Sequence, residues 1–215
     1  MYHLIKKDLL IQKKNLFIVC LLIIFFLATL SNIGPAGFTI SVLAISYSLL
    51  LCASQIDEKN NSDIVLISLP IKKQTIVLSK YISVYVYLLF AIVMNCLVYF
   101  LVKLLQIPLK YEWLTTEGII GAIIGSTIFA SISLPLIFKW GYIKSRFPNY
   151  IIFFIFIIGS VSVVNNMDYY SKTKLMEFFI QQSKIELIGI LVAITIVISI
   201  ISYLISLEFY KNREY

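Results

Sequence analysis

The chain has 215 residues, of which 60% are apolar and only 13% charged. Soluble domains average about 45–50% apolar and about 25% charged. With a mean hydropathy of +0.94, a soluble globule, a disordered chain and a fibrous chain are all excluded, which leaves an all-α integral membrane protein. The formal charge of +7 must then be read as a pattern along the chain.

The N-terminus is basic, with Lys6, Lys7, Lys13 and Lys14 around a lone Asp8. The first charge-free window, Asn15–Ile56, follows and is 42 residues long. About 20 helical residues cross a hydrocarbon core of about 30 Å, so this window has the length of two crossings. Its centre, Ser31-Asn32-Ile33-Gly34-Pro35-Ala36-Gly37, holds helix breakers and turn formers. Spans over 16–30 and 38–54 joined by a tight turn are expected; the alternative is a re-entrant hairpin. The start mimics a secretory signal, but no small-x-small cleavage site follows, so the segment reads as retained.

Four more charge-free windows follow: Tyr81–Val102, Gly118–Phe138, Phe147–Met167 and Leu187–Leu207, of 21 or 22 residues each. Each has the length of one crossing, which makes six spans in a single domain over residues 1–215, with a long connection at 55–80. Lys and Arg fix the orientation. Alternate connections place thirteen of them with the N-terminus, residues 55–80, residues 139–146 and the tail, against five on the other side. Both termini are therefore expected in the cytoplasm. The acids divide so that the cytoplasmic side carries the whole net charge. A nucleic-acid-binding role would need a folded basic domain, and none is long enough. Trp113, Trp140, Tyr111, Tyr142, Tyr150, Tyr169, Tyr170 and Tyr210 fall near the proposed span ends, where amphipathic rings favour the headgroup zone.

Chemistry is sparse. Three cysteines lie inside spans, no C-x-x-C occurs, and His3 is the only histidine. No disulfide framework or metal site is expected. There is no G-x-x-x-x-G-K, so the chain holds no P-loop for ATP. No span carries a lysine to activate a serine, and an enzyme is not expected. Nor does any span carry the mid-membrane charge usual in ion-coupled carriers. Asn95 is the deepest polar residue and reads as an interhelical hydrogen bond, or else as a substrate ligand. Gly118, Gly121 and Gly125 form a small-residue face suited to internal packing or to a subunit interface.

The segment between the second and third spans is the most informative. It starts acidic and polar, and Asn61 or Ser62 followed by Asp63 can open a short helix. Ile64, Val65, Leu66, Ile67 and Leu69 are apolar, Leu69-Pro70 ends the helix, and a second helix starts near Ile71. Such a helix–Pro–helix unit offers a surface to another protein; the alternative is a linker lying on lipid headgroups.

The basic start Lys6-Lys7-Asp8-Leu9, the six spans, and Leu69-Pro70 followed by Ile76-Val77-Leu78-Ser79-Lys80-Tyr81 resemble the permease subunits of ABC-2 type transporters of Gram-positive bacteria. Small members of that family serve amphipathic-peptide exporters, such as those for phenol-soluble modulins, and bacteriocin self-protection. The resemblance implies a cytoplasmic helix over 2–15 lying along the membrane. It implies a coupling helix around 61–70, with Asp63, Ile64, Leu66, Ile67, Leu69 and Pro70 docking a separate ATPase subunit. ATP and magnesium would then sit on that partner and no cofactor on this chain. Six spans would be half a pore, calling for a second permease copy or paralogue. Short gate helices would occupy 165–184. The competing class is a non-transporting immunity or scaffold protein of the membrane.

Overall fold

A computed structural model describes residues 2–106, 112–165 and 184–212, all helix or short connection, with no strand among them. α1 (Tyr2–Ile11) passes through a 3-10 turn (Gln12–Asn15) into α2 (Leu16–Leu30). A second 3-10 turn, Ser31–Ile33, leads to α3 (Pro35–Lys59). Then come α4 (Ser62–Ser68), α5 (Lys73–Leu104), α6 (Thr116–Asn165) and α7 (Lys184–Asn212).

The breaks lie where local chemistry demands them. Gly34, at φ 63°, turns the chain, and Pro35 starts α3 at a position where its missing N–H costs nothing. Asn61 takes a left-handed φ of 49° between α3 and α4, a conformation asparagine tolerates. Leu69 is extended at φ −84° and ψ 149°, as the residue before Pro70 must tend to be.

α6 is 50 residues long but is not straight. Gly141 sits at φ 78° and ψ 170°, outside helical geometry. Phe129 and Phe156 have ring centroids 4.6 Å apart, whereas 27 residues of straight helix would separate them by about 40 Å. Arms 116–140 and 142–165 are therefore folded back on each other at this one residue. The charge pattern placed a longer connection here, at 139–146; it is a single glycine pivot, which only the absence of a Cβ permits.

Paired contacts give the direction of every segment. Leu30 meets Gly37, so α2 and α3 form an antiparallel hairpin. Lys80–Asp57 and Asn95–Ser41 make α3 and α5 antiparallel. Gly118 approaches Phe38, Gly121 approaches Thr39 and Gly125 approaches Leu43, so the first arm of α6 runs parallel to α3. Tyr81–Ser206 and Lys73–Lys211 set α7 antiparallel to α5. The segments thus alternate in direction. One end of the bundle gathers α1, the end of α3, α4, the start of α5, Gly141 and the end of α7. The other gathers the turns near Gly34 and Trp113.

Among the described residues four helices are long and apolar enough to cross a membrane: α3, α5, α6 over Thr116–Phe156, and α7, with Phe17–Ile33 a shorter apolar helix. α3 lies at the centre, packed on α2, α5 and α6. Its most apolar stretch is 67% buried, against 11% for that of α7. Trp113 departs from the headgroup position expected for it: it is 1% exposed and meets Phe38 edge-on, 6.4 Å between centroids. Tyr142 and Tyr210 are also buried, whereas Trp140 and Tyr150 are exposed. Tyr111, Tyr169, Tyr170 and residues 166–183 of the proposed 165–184 gate segment lie outside the described residues.

Candidate functional site

α4 stands at the charged end as a seven-residue helix between α3 and α5. Its faces differ. Leu66 is buried in the apolar core, while Val65 and Leu69 are 58% and 46% exposed. Pro70 is exposed as well. For Asp63, Ile64 and Ile67 only the helical backbone is described. Two of the exposed groups, Val65 and Leu69, are large and apolar, and Leu66 is spent on holding the helix to its own chain.

The base of this segment is closed by charge. Lys7 Nζ lies 2.7 Å from Asp57 and 3.4 Å from Asp8. Lys80 Nζ lies 3.2 Å from Asp8 and is also paired with Asp57. Each cation touches both anions, so the four groups form a closed ring of alternating sign. The side chains of Asp8 and Asp57 are 3% and 9% exposed, those of Lys80 and Lys7 15% and 30%. Such poorly hydrated charges persist only when paired. The Ser83 hydroxyl lies 3.1 Å from Asp8. Four residues on from Asp8, the Gln12 side-chain amide donates to the Leu49 carbonyl. Leu49 is eight residues before Asp57, about 12 Å deeper along α3. α1 is therefore tucked against α3 and α5 and steps inward along them.

Two neighbouring bonds complete this end. The Ile143 backbone N–H, in the first turn after Gly141, donates to the Glu58 carboxylate at 2.9 Å, an acid at a helix N-terminus. Lys73 Nζ donates to the Lys211 carbonyl at 3.1 Å, a cation at a helix C-terminus.

Several polar contacts within the apolar region join different helices. Asn95 is fully buried; its Oδ1 accepts from Ser41 at 2.9 Å and its amide donates to the Ala91 carbonyl. The Tyr81 hydroxyl sits 2.6 Å from Ser202 and 2.8 Å from Ser206. Tyr47 donates to the Asn149 carbonyl at 2.9 Å, and Ser133 donates to Tyr47 at 3.3 Å. Gly118, Gly121 and Gly125 all face α3 of the same chain. A Cβ at Gly125 would lie 2.8 Å from Leu43, and one at Gly121 3.0 Å from Thr39.

Among the cavities between helices are two open grooves. One, about 330 Å³, lies between α5, α6 and α7 and is lined by Tyr81, Tyr85, Thr195, Ser199 and Tyr203 among apolar groups. The other, about 300 Å³, lies between α2, α3 and α6 beside Tyr47, Cys52, Gln55 and Phe153. Neither is lined by an ionisable acid or base of the Asp, Glu, Lys, Arg or His type.

The charge ring lies beside the docking surface expected on α4 and has no local motif in the sequence. Its signal lay at the window edges: Asp57 directly follows one charge-free stretch and Lys80 directly precedes the next.

The described residues thus form an all-helical membrane protein with a short helix at one charged end. The family model for ABC-2 family transporter proteins matches residues 3–211, and the chain belongs to that family. Its members form the membrane part of the transporter and are not themselves catalytic. No curated protein and no solved structure matches the chain.

Proposed function

We propose that the chain is the permease subunit of an ATP-driven exporter in a bacterial cytoplasmic membrane. It crosses six times, through α2, α3, α5, the two arms of α6, and α7, with both termini and the charged end in the cytoplasm. The observation that carries this reading is the family match over nearly the whole chain, joined to α4 at the lysine-rich end. A separate ATPase subunit, holding ATP and magnesium, docks on the 57–80 segment. A second permease, identical or paralogous, completes the pore. Closure of the ATPase pair displaces α4, and the helices pass between two packings. The cargo is amphipathic, a peptide or a lipid-like molecule, because both grooves combine hydroxyls with apolar walls and are free of charged side chains.

The test is co-purification. A C-terminal tag and mild detergent extraction should bring down a soluble ATPase in stoichiometric amount. Val65→Asp with Leu69→Asp should remove it and leave the permease in the membrane. Leu66, buried, is unsuitable for this purpose because its replacement would disturb the fold. A protein that comes down alone, or with another membrane protein and no ATPase, points instead to the immunity or scaffold class.

A further inference from the structure

Asp57 and Lys80 stand on either side of α4 in the sequence and touch across the base of the segment that carries it. A connection of that length with free ends would absorb a push on α4 as loop motion. Here its ends are pinned to each other, and Leu66 is seated in the core. The other two charges of the ring, Lys7 and Asp8, belong to α1. Opening the ring would leave poorly hydrated charges without partners, which is costly in a low-dielectric setting. That cost favours a ring that stays closed if the helices around it shift. Glu58, the residue after Asp57, holds the first turn of the second α6 arm. Four elements thus meet at one short stretch of charge: α1, the end of α3, the start of α5 and the arm beyond Gly141.

We infer that the Lys7–Asp8–Asp57–Lys80 ring is the joint that passes a load on α4 to α1 and the helical bundle, with Asp57 and Lys80 as positioning residues that make the segment a rigid lever. α1 then moves with α4. This rests on the permease reading and adds to it the path of coupling and the part of the chain that moves.

The test follows α1 directly. Leu10, on α1 and 60% exposed, is replaced by cysteine in full-length protein whose Cys20, Cys52 and Cys96 are serine. Native membranes retaining the co-purifying ATPase are treated with ATP and vanadate or kept nucleotide-free, and labelling by a water-soluble maleimide is timed. With the ring intact, the two conditions should differ by about threefold or more in rate. In Asp57→Asn with Lys80→Gln, compared at equal amounts of ATPase-bound permease, the difference should fall to below about 1.5-fold. Inverting all four charges (Lys7→Asp, Asp8→Lys, Asp57→Lys, Lys80→Asp) preserves every opposite-sign contact and should restore it. Inverting only positions 57 and 80 creates like-charge contacts with Lys7 and Asp8 and should not. Should the neutral double variant fail to accumulate, Lys7→Gln at the more exposed edge of the ring gives the same readout at smaller amplitude. A full nucleotide response in ring-neutralised protein, or none in the intact ring with ATPase bound, overturns the joint. Absence of any ATPase from the parent membranes instead overturns the permease reading.

Discussion

The two ends of the bundle are held together by different physics. At one end α1, α3 and α5 meet through two lysines and two aspartates, and Glu58 and Lys73 tie in the neighbouring helix ends. At the other, helices meet by close approach. A Cβ on Gly37 would strike the Leu30 carbonyl and lie 2.7 Å from the Trp113 ring, and Gly118 abuts Phe38 and the Pro35 carbonyl. Charge pairing depends on direction and partner but leaves helices some freedom to tilt together. Close packing of small residues fixes separation and leaves little room. Under the proposed function, a load at the charged end would tilt the helices about the packed end.

The largest expected effect is at the ring. Lys80→Ala leaves Asp8 and Asp57 sharing the partly exposed Lys7 and should cost about 3–5 kcal/mol, the usual loss on breaking a buried pair. Thermal unfolding in detergent should show it, and Lys7→Ala should cost clearly less because Lys7 has more access to water. At the packed end, Gly37→Leu should destabilise by about 1–3 kcal/mol, as overpacking does. An equal loss for Lys7→Ala and Lys80→Ala would break the contrast from one side, and a neutral Gly37→Leu from the other. Between the ends, Asn95→Ala removes its bond with Ser41 and should cost about 0.6–1.7 kcal/mol, the range for hydrogen bonds between membrane helices. The smallest effect belongs on the outer face of α7. A Cβ at Gly189 meets nothing within 4 Å, so Gly189→Ala should stay within about 0.5 kcal/mol. A large loss there would mean that this face packs on another protein.

Hydropathy and burial run in opposite order along the chain. α7 has the higher mean hydropathy, 2.8 against 1.9 for α3, yet is the less buried. In water this would be a defect; in lipid the outer helices are the ones that must be most apolar. For that reason charge-free windows pointed to apolar helices, and α2 has the bounds 16–30 expected of the first one, while two of the windows fall within the single bent helix α6. Other features were less legible because they depend on tertiary pairing. Gly141 carries no charge and was hidden inside a basic stretch whose length suggested a loop. Trp113 looks like an interfacial anchor in sequence, but Gly37 leaves space for its ring in the core. Lys7 and Asp57 are 50 residues apart and Asp8 and Lys80 are 72 apart, so no local pattern joins them. Leu66 and Leu69 look alike in sequence, and only the setting of α4 on the bundle sends one inward and the other outward.

The central claim is that the charged end, carrying α4, is the face an ATPase covers. Single cysteines at Leu69 and Ile33, which are 46% and 45% exposed at opposite ends, test both halves of it in inside-out membrane vesicles labelled with an impermeant maleimide. The account predicts that position 69 is shielded in native vesicles and labels freely once peripheral proteins are stripped with urea, while position 33 stays unlabelled throughout. Labelling at position 33 from the cytoplasmic side, or a position 69 indifferent to stripping, would contradict it.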